Sequence, residues 1–195
     1  MSTAITVGLL SDTHVPYRMR RLPDVLFDAL GGVALILHAG DVDDPRALAS
    51  LREIAPVHAV RGNVHPLDLS DGGASLPPVV ELTLAGQRVV LTHGHWSGLS
   101  ALWLKGWDIL SRYLAWDDDD LFNRQIALRL VRRHAEADLI VFGHSHRAYV
   151  ERIEGVLLVN PGAVCPARGR PSTVARMTLG GHDPRVNFIP LRGHP

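Results

Sequence analysis

Five short apolar runs, at residues 5–10, 33–37, 57–60, 89–91 and 139–142, are nearly unbroken by polar side chains. A strand with one face in water alternates apolar and polar residues, so continuous runs predict strands covered on both faces. Between them lie helical patterns at 23–30, at 45–54 with proline in the first turn, and at 121–137 with Ile126, Leu130 and Val131 on one face. This alternation predicts an α/β fold. Two hairpins add antiparallel pairs: 79–84 joined to 88–91 through Ala-Gly-Gln, and 149–153 joined to 156–159 through Glu-Gly. Late strands at 173–179 and 186–191 have no helical pattern between them. The simplest architecture is a four-layer α/β/β/α sandwich of two mixed sheets flanked by helices. No repeat, low-complexity stretch or linker divides the 195 residues, which read as one domain, 1–195.

Each apolar run is followed at once by polar residues of one chemical kind: Ser11-Asp12-Thr13-His14, His38-Ala39-Gly40-Asp41, Arg61-Gly62-Asn63, Thr92-His93-Gly94-His95 and Gly143-His144-Ser145-His146. Loops beyond the carboxyl ends of neighbouring strands converge on one crevice, so these five segments can share a site. Carboxylates, an amide and several imidazoles suit first-row divalent ions, Mn, Fe, Co, Ni or Zn, better than Mg or Ca in all-oxygen shells. Asp12 and His14, two apart in extended chain, reach the same side. The glycines before Asp41, Asn63 and His144 allow close backbone approach. Composition narrows the partners. Twenty Lys and Arg balance twenty Asp and Glu, so no overall positive field attracts nucleic acid or an anionic membrane. The lone Cys165 excludes an internal disulfide and fits a reducing cytosol. The apolar start ends at Ser11-Asp12 without a basic leader, and no stretch reaches membrane-spanning length, so the expected location is cytoplasmic.

The ordered set D-x-H, G-D, G-N, H-G and G-H-x-H, each after a strand, resembles the calcineurin-like metallophosphoesterase superfamily. The small single-domain phosphodiesterase branch is the nearest in pattern, through Asn160-Pro161-Gly162-Ala163 and Arg170-Pro171-Ser172. The resemblance implies one divalent ion held by Asp12, His14, Asp41 and His146, and a second held by Asp41, Asn63, His93 and His144, with Asp41 bridging. Manganese is the leading candidate, with Fe, Ni, Co and Zn as alternatives. It also implies hydrolysis of a small phosphodiester by a metal-bound hydroxide. Two ions about 3.5–4 Å apart lower the pKa of a bridging water far enough for this.

One motif departs from the pattern. Many superfamily members carry histidine directly after the asparagine, assigned to the leaving group, and this chain reads Gly62-Asn63-Val64-His65. Valine cannot donate a proton, which disfavours alkyl monoesters with poor leaving groups. His65, one residue late, is a candidate replacement, against a surface or supporting histidine. His95, two after His93, is a candidate phosphate contact or proton relay, against hydrogen bonding within its loop. His38 is expected to orient a ligand or the Asp41 loop. Arg61 could reach a phosphate or make a surface ion pair. Cys165 reads as a small apolar filler.

Residues 96–120 read as a helical insert holding all four tryptophans, with Leu99, Leu102, Trp103, Leu110, Tyr113 and Leu114 near helical spacing. It can cover the sheet, close over the site, or form a homo-oligomer face. Asp117 to Asp120 are expected to favour the N-terminus of the following helix. The alternatives on the same residues are a phosphomonoesterase or nucleotide pyrophosphatase, and a catalytically weak metal-bound protein-interaction scaffold. No phosphate-binding G-x-x-x-x-G-K-[ST] loop, strand-borne G-x-G-x-x-G or G-x-S-x-G elbow offers another nucleotide or acyl chemistry.

Overall fold

A computed structural model describes residues 3–62, 75–95, 119–165, 170–181 and 183–191. Four of the continuous apolar runs form inner strands of two five-stranded sheets, and the fifth, at 57–60, forms the edge strand of the first. In the first sheet β1 (Ile5–Leu10), β2 (Leu35–His38) and β3 (Val57–Ala59) are parallel. In the second sheet the outer hairpin strand is β4 (Val79–Leu84), which pairs antiparallel with β5 (Gln87–Thr92). β5 is parallel to β6 (Leu139–Val141), and β6 to β8 (Val156–Pro161), whose antiparallel neighbour is β7 (Ala148–Ile153). The late strands β9 (Thr173–Leu179) and β10 (Arg185–Pro190) return to the first sheet, β9 antiparallel to β1 and β10 antiparallel to β9. The strand orders are β10-β9-β1-β2-β3 and β4-β5-β6-β8-β7.

Side chains alternate across a strand, so one apolar run feeds two layers. Leu9, Leu37, Val89, Leu91, Leu139, Val141, Val159 and Met177 point between the sheets. Their neighbours Leu10 and Ile36 point outward onto α1 (Asp24–Leu30) and α2 (Leu48–Arg52), where Leu26, Leu30, Leu48 and Leu51 are buried. On the other side Val90, Ile140, Phe142 and Leu158 meet Ile126, Leu130 and Val131 of α3 (Asp119–Arg133). This is the expected α/β/β/α sandwich. No described helix is long and apolar enough to cross a membrane.

Local chemistry moves several boundaries. The 45–54 pattern splits into a 3-10 turn, Pro45–Ala47, and the short α2; Asp44 caps the turn by accepting from the Arg46 amide at 2.8 Å. The first hairpin turn is two residues, Ala85 and Gly86, both at positive φ, so Gln87 belongs to β5. α3 starts at Asp119 and stops at Arg133, so Asp119 and Asp120 lie inside its first turn rather than before it. β2 begins at Leu35, although Val33 before it is still buried. Residues 96–118 of the tryptophan-rich insert lie outside the described residues, as do Asn63, Val64 and His65.

Candidate metal centre

The parallel pairing sets where the polar segments emerge. Leu10 is in register with His38, and Leu91 with Val141, so the loops after β1 and β2 leave one sheet side by side and those after β5 and β6 leave the other. Backbone bonds then join them: Asp12 N–H to Gly40 O at 2.9 Å, His14 N–H to Asp41 O at 3.0 Å, and Gly143 N–H to His93 O at 3.3 Å. Cys165, buried as expected, ties its segment to the same place, its N–H donating to Asp12 O at 3.0 Å.

The side chains converge in two groups that share Asp41. One ligand atom from each of Asp12, His14, Asp41 and His146 lies within 4.8 Å of all the others. Within that group His14 Nε2 is 3.4 Å from Asp41 Oδ2, and His146 Nε2 is 3.2 Å from Asp12 Oδ1. The other oxygen of Asp41, Oδ1, is 3.4 Å from His93 Nε2. The His93 ring in turn lies 5.2 Å, centroid to centroid, from the His144 ring.

Buried polar atoms are normally hydrogen-bonded. Here Asp12 Oδ1 and His93 Nε2 are buried without a hydrogen-bond partner. Oxygen and imidazole lone pairs left over beside a second carboxylate fit a divalent cation, so the residues present suit the expected metal. Their supports fix them in place. His93 Nδ1 faces Ala39 O at 2.7 Å, and His14 Nδ1 faces Asp43 Oδ1 at 3.2 Å, which leaves each Nε2 turned inward. Asp12 Oδ2 accepts from the Ser11 hydroxyl and from the His144 amide, the latter at 3.3 Å.

His38 behaves as expected. Its Nδ1 accepts from the Gly40 amide at 3.3 Å and its Nε2 pairs with Thr13 Oγ1 at 3.2 Å, so neither nitrogen is left for an ion. Burial holds it neutral, with its pKa pushed down to about 4. His95 lies 5.7 Å from the His93 ring, and burial followed by the His93 charge pushes it down to about 4. Arg61 adds to that depression. Burial pushes His144 down to about 3. For the Asp12 carboxyl, burial works upward, but the adjoining His146 outweighs it and holds the group well below the usual carboxylate range. Burial lowers and Asp12 raises the His146 imidazole, with a net rise.

Backbone strain is concentrated at the same place. Asp12, His14, Asp41, Asp43, His144 and His146 all have φ between 49° and 74°. Among described non-glycine residues the other left-handed positions are Ala85 and Glu154, each in a hairpin turn before glycine. Such conformations persist where surrounding structure over-determines them, commonly at ligand sites. Two glycines make the approach possible. A Cβ on Gly62 would lie 1.8 Å from Asp41 Oδ1, and one on Gly143 would lie 2.0 Å from Ser11 Oγ.

Several supporting residues escaped the sequence reading. Asp43, Ser11 and Thr13 sit inside or beside quoted motifs, and the two-residue spacing from Asp41 to Asp43 repeats that of Asp12 to His14. Arg18 NH1 lies 3.4 Å from His14 Nε2, on a turn whose Arg18 and Met19 amides both donate to the His14 carbonyl. Asn123, on α3, had no local signal at all.

Two mixed sheets with histidines and carboxylates gathered where their parallel strands end define an α/β/β/α protein with a candidate metal centre. The family model for the calcineurin-like phosphoesterase superfamily domain matches residues 5–181, and the chain belongs to that superfamily. It is 32% identical over 187 residues to a "Probable metallophosphoesterase" of Methanothermobacter thermautotrophicus, covering 96% of this chain and 86% of that one. Two solved structures share the fold. A predicted phosphoesterase from Streptococcus pneumoniae superposes with a TM-score of 0.62 at 21% identity, covering 97% of this chain and 91% of that one. Vacuolar Protein Sorting 29 from Cryptosporidium parvum gives 0.64 at 21% identity, covering 96% and 98%.

Proposed function

We propose that the chain is a single-domain phosphodiesterase that binds two divalent ions, Mn foremost, and hydrolyses a small phosphodiester. The observation that carries this reading is the division of the Asp41 carboxylate, with one oxygen 3.4 Å from His14 Nε2 and the other 3.4 Å from His93 Nε2. A carboxylate so divided would hold an ion on the Asp12, His14 and His146 side and another on the His93 and His144 side, to which the family resemblance adds Asn63. Ions held there supply positive charge for a phosphate and acidify water for in-line attack on phosphorus.

The chain's own residues hold and orient. Asp12 and Asp41 provide two negative charges against two dications, leaving a positive site for an anionic ester. Ser11 and the His144 amide fix the Asp12 carboxylate. Ala39 fixes the His93 ring. His95, beside His93, and Arg18, beside His14, flank the cluster, and their proximity supports a role for both in contacting phosphate oxygens. Val64, where many superfamily members carry histidine, would leave the departing group to its own acidity, which favours activated diesters.

Hydrolysis of bis(para-nitrophenyl) phosphate and para-nitrophenyl phosphate by Mn-loaded protein tests this. The expected result is faster turnover of the diester with two Mn bound per chain. Preference for the monoester would replace the reading with a phosphomonoesterase, and bound metal without turnover of either would favour a scaffold.

A further inference from the structure

The loop bearing His144 and His146 is strained, with φ of 74° and 58° at the two histidines, and something must hold it. The holder comes from two distant elements. Ser145, between the histidines, donates from Oγ to Asn123 Oδ1 at 2.7 Å. Asn160, at the end of β8, donates from Nδ2 to Gly143 O at 2.9 Å, to Ser145 Oγ at 2.9 Å and to Asn123 Oδ1 at 3.3 Å. Both amide side chains are buried, Asn160 fully and Asn123 to 1% exposure.

The polarity of this network is fixed from one end. The Gly162 amide donates to Asn160 Oδ1 at 2.9 Å, so Asn160 must present its NH2 to the loop. Asn123 must then present its oxygen, and its own Nδ2 is left buried without a hydrogen-bond partner. That end of α3 also touches the site through two neighbours. The Phe122 ring lies 6.2 Å from the His144 ring, and Ile126 Cγ2 is so near Gly94 that a Cβ there would come within 3.0 Å of it.

We propose that Asn123 is a positioning residue of the metal centre, whose oxygen, through Ser145 and together with Asn160, holds the His144–His146 turn in ligand-presenting form. The proposal rests on the reading that His144 and His146 hold metal. It assigns α3 a role beyond covering the second sheet. Packing alone would need only a side chain of the right volume at position 123, whereas this role needs an acceptor there and a donor at position 160.

Calorimetric titration of the metal-free full chain with Mn2+, and the visible spectrum after Co2+ loading, test it in Asn123→Leu, Asn123→Asp and Asn160→Asp. Supporting partners of metal ligands are typically worth about 10- to 100-fold in metal affinity. Asn123→Leu, of similar volume without the acceptor, should lose affinity in that range and shift the Co2+ bands. Asn123→Asp keeps the acceptor and should retain most of the affinity; Asn160→Asp removes the donor and should lose it. Wild-type affinity and spectrum in Asn123→Leu would overturn the proposal. Should that variant fail to melt cooperatively, equal affinities in the two aspartate variants would overturn it instead. Failure of wild type to bind Mn2+ would remove the metal-centre reading beneath it, an outcome distinct from wild-type binding that the variants leave unchanged.

Discussion

His93 and Ala39 are joined by a 2.7 Å contact from the ring Nδ1 to the backbone carbonyl, a bond that crosses from the second sheet to the first. A carbonyl can only accept, so Nδ1 carries a proton, and Nε2 is the nitrogen turned toward Asp41 Oδ1 and the one available to an ion. His93→Gln should therefore lower bound Mn from two ions to one per chain, because Asp12, His14, Asp41 and His146 supply four ligands to the other ion without that ring. Elemental analysis of the purified variant measures this, and two retained ions would remove His93 from the ligand set.

Asp41 faces both groups, so Asp41→Asn is expected to abolish diester turnover while the far-ultraviolet circular dichroism stays that of the wild type. A variant with the wild-type rate and two bound ions would exclude the bridging arrangement.

Gly62→Ala puts a methyl group where a Cβ is 1.8 Å from Asp41 Oδ1. It would also lie 2.3 Å from the Asp41 backbone nitrogen, so the backbone must shift as well as the carboxylate. Overpacking of this sort costs about 1–3 kcal/mol, read as a lower melting temperature, and metal affinity should fall with it. An unchanged melting temperature and Mn titration would show that the backbones at Gly62 and Asp41 can separate without cost to the site.

The pH dependence of the chelated protein has a sign in each direction. His38, lowered by burial to about 4, and His144, lowered by burial to about 3, stay neutral in the fold while the unfolded chain protonates near 6.5. Their effect is absent above about pH 6.5 and reduces stability as the pH falls below it. For His38 alone the loss approaches roughly 3 kcal/mol by pH 4. His146 is raised, so its contribution is complete below about 6.5 and is lost as the pH rises through its folded value. Denaturant midpoints of metal-free protein should thus fall between pH 6.5 and 4, and less steeply in His38→Gln. An identical slope in that variant would contradict the assignment.

Val64 predicts a steep fall in rate as the leaving-group pKa rises across a series of aryl esters. Introducing a ring with Val64→His should flatten that dependence. General acids contribute about 10²- to 10⁴-fold, so about tenfold on the poorest leaving group is a modest expectation. If His65 already serves, wild type will show the shallow line and His65→Ala the steep one.

The sheets were legible because Leu9 and Leu10, or Val141 and Phe142, must each be buried on opposite faces of one strand, and that demand appears as continuous apolar sequence. Asp12, His14, Asp41, His93 and His146 were legible for a related reason, since polar residues directly after such runs emerge at strand ends. The structure brings all five together with His144. Asn123 was invisible: it lies on a helical face between Phe122 and Ile126, and its partners are 22 and 37 residues away in the chain. Asp43 was hidden differently, because one aspartate in Asp41-Val42-Asp43-Asp44 carries no mark that it will face His14 rather than solvent.

Asp12, His14 and Asp41 come from the first sheet, and His93, His144 and His146 from the second. An ion coordinated by both sets is therefore a clasp between two separately hydrogen-bonded halves, closing a loop that runs from Asp12 to His146. Separation of the sheets would scatter the ligands, so metal must bind the docked state in preference to the open one. At a free ion concentration one hundred times the dissociation constant, such linkage adds about 2.7 kcal/mol. The availability of divalent metal in its surroundings would then set how long this chain stays folded as well as how fast it works.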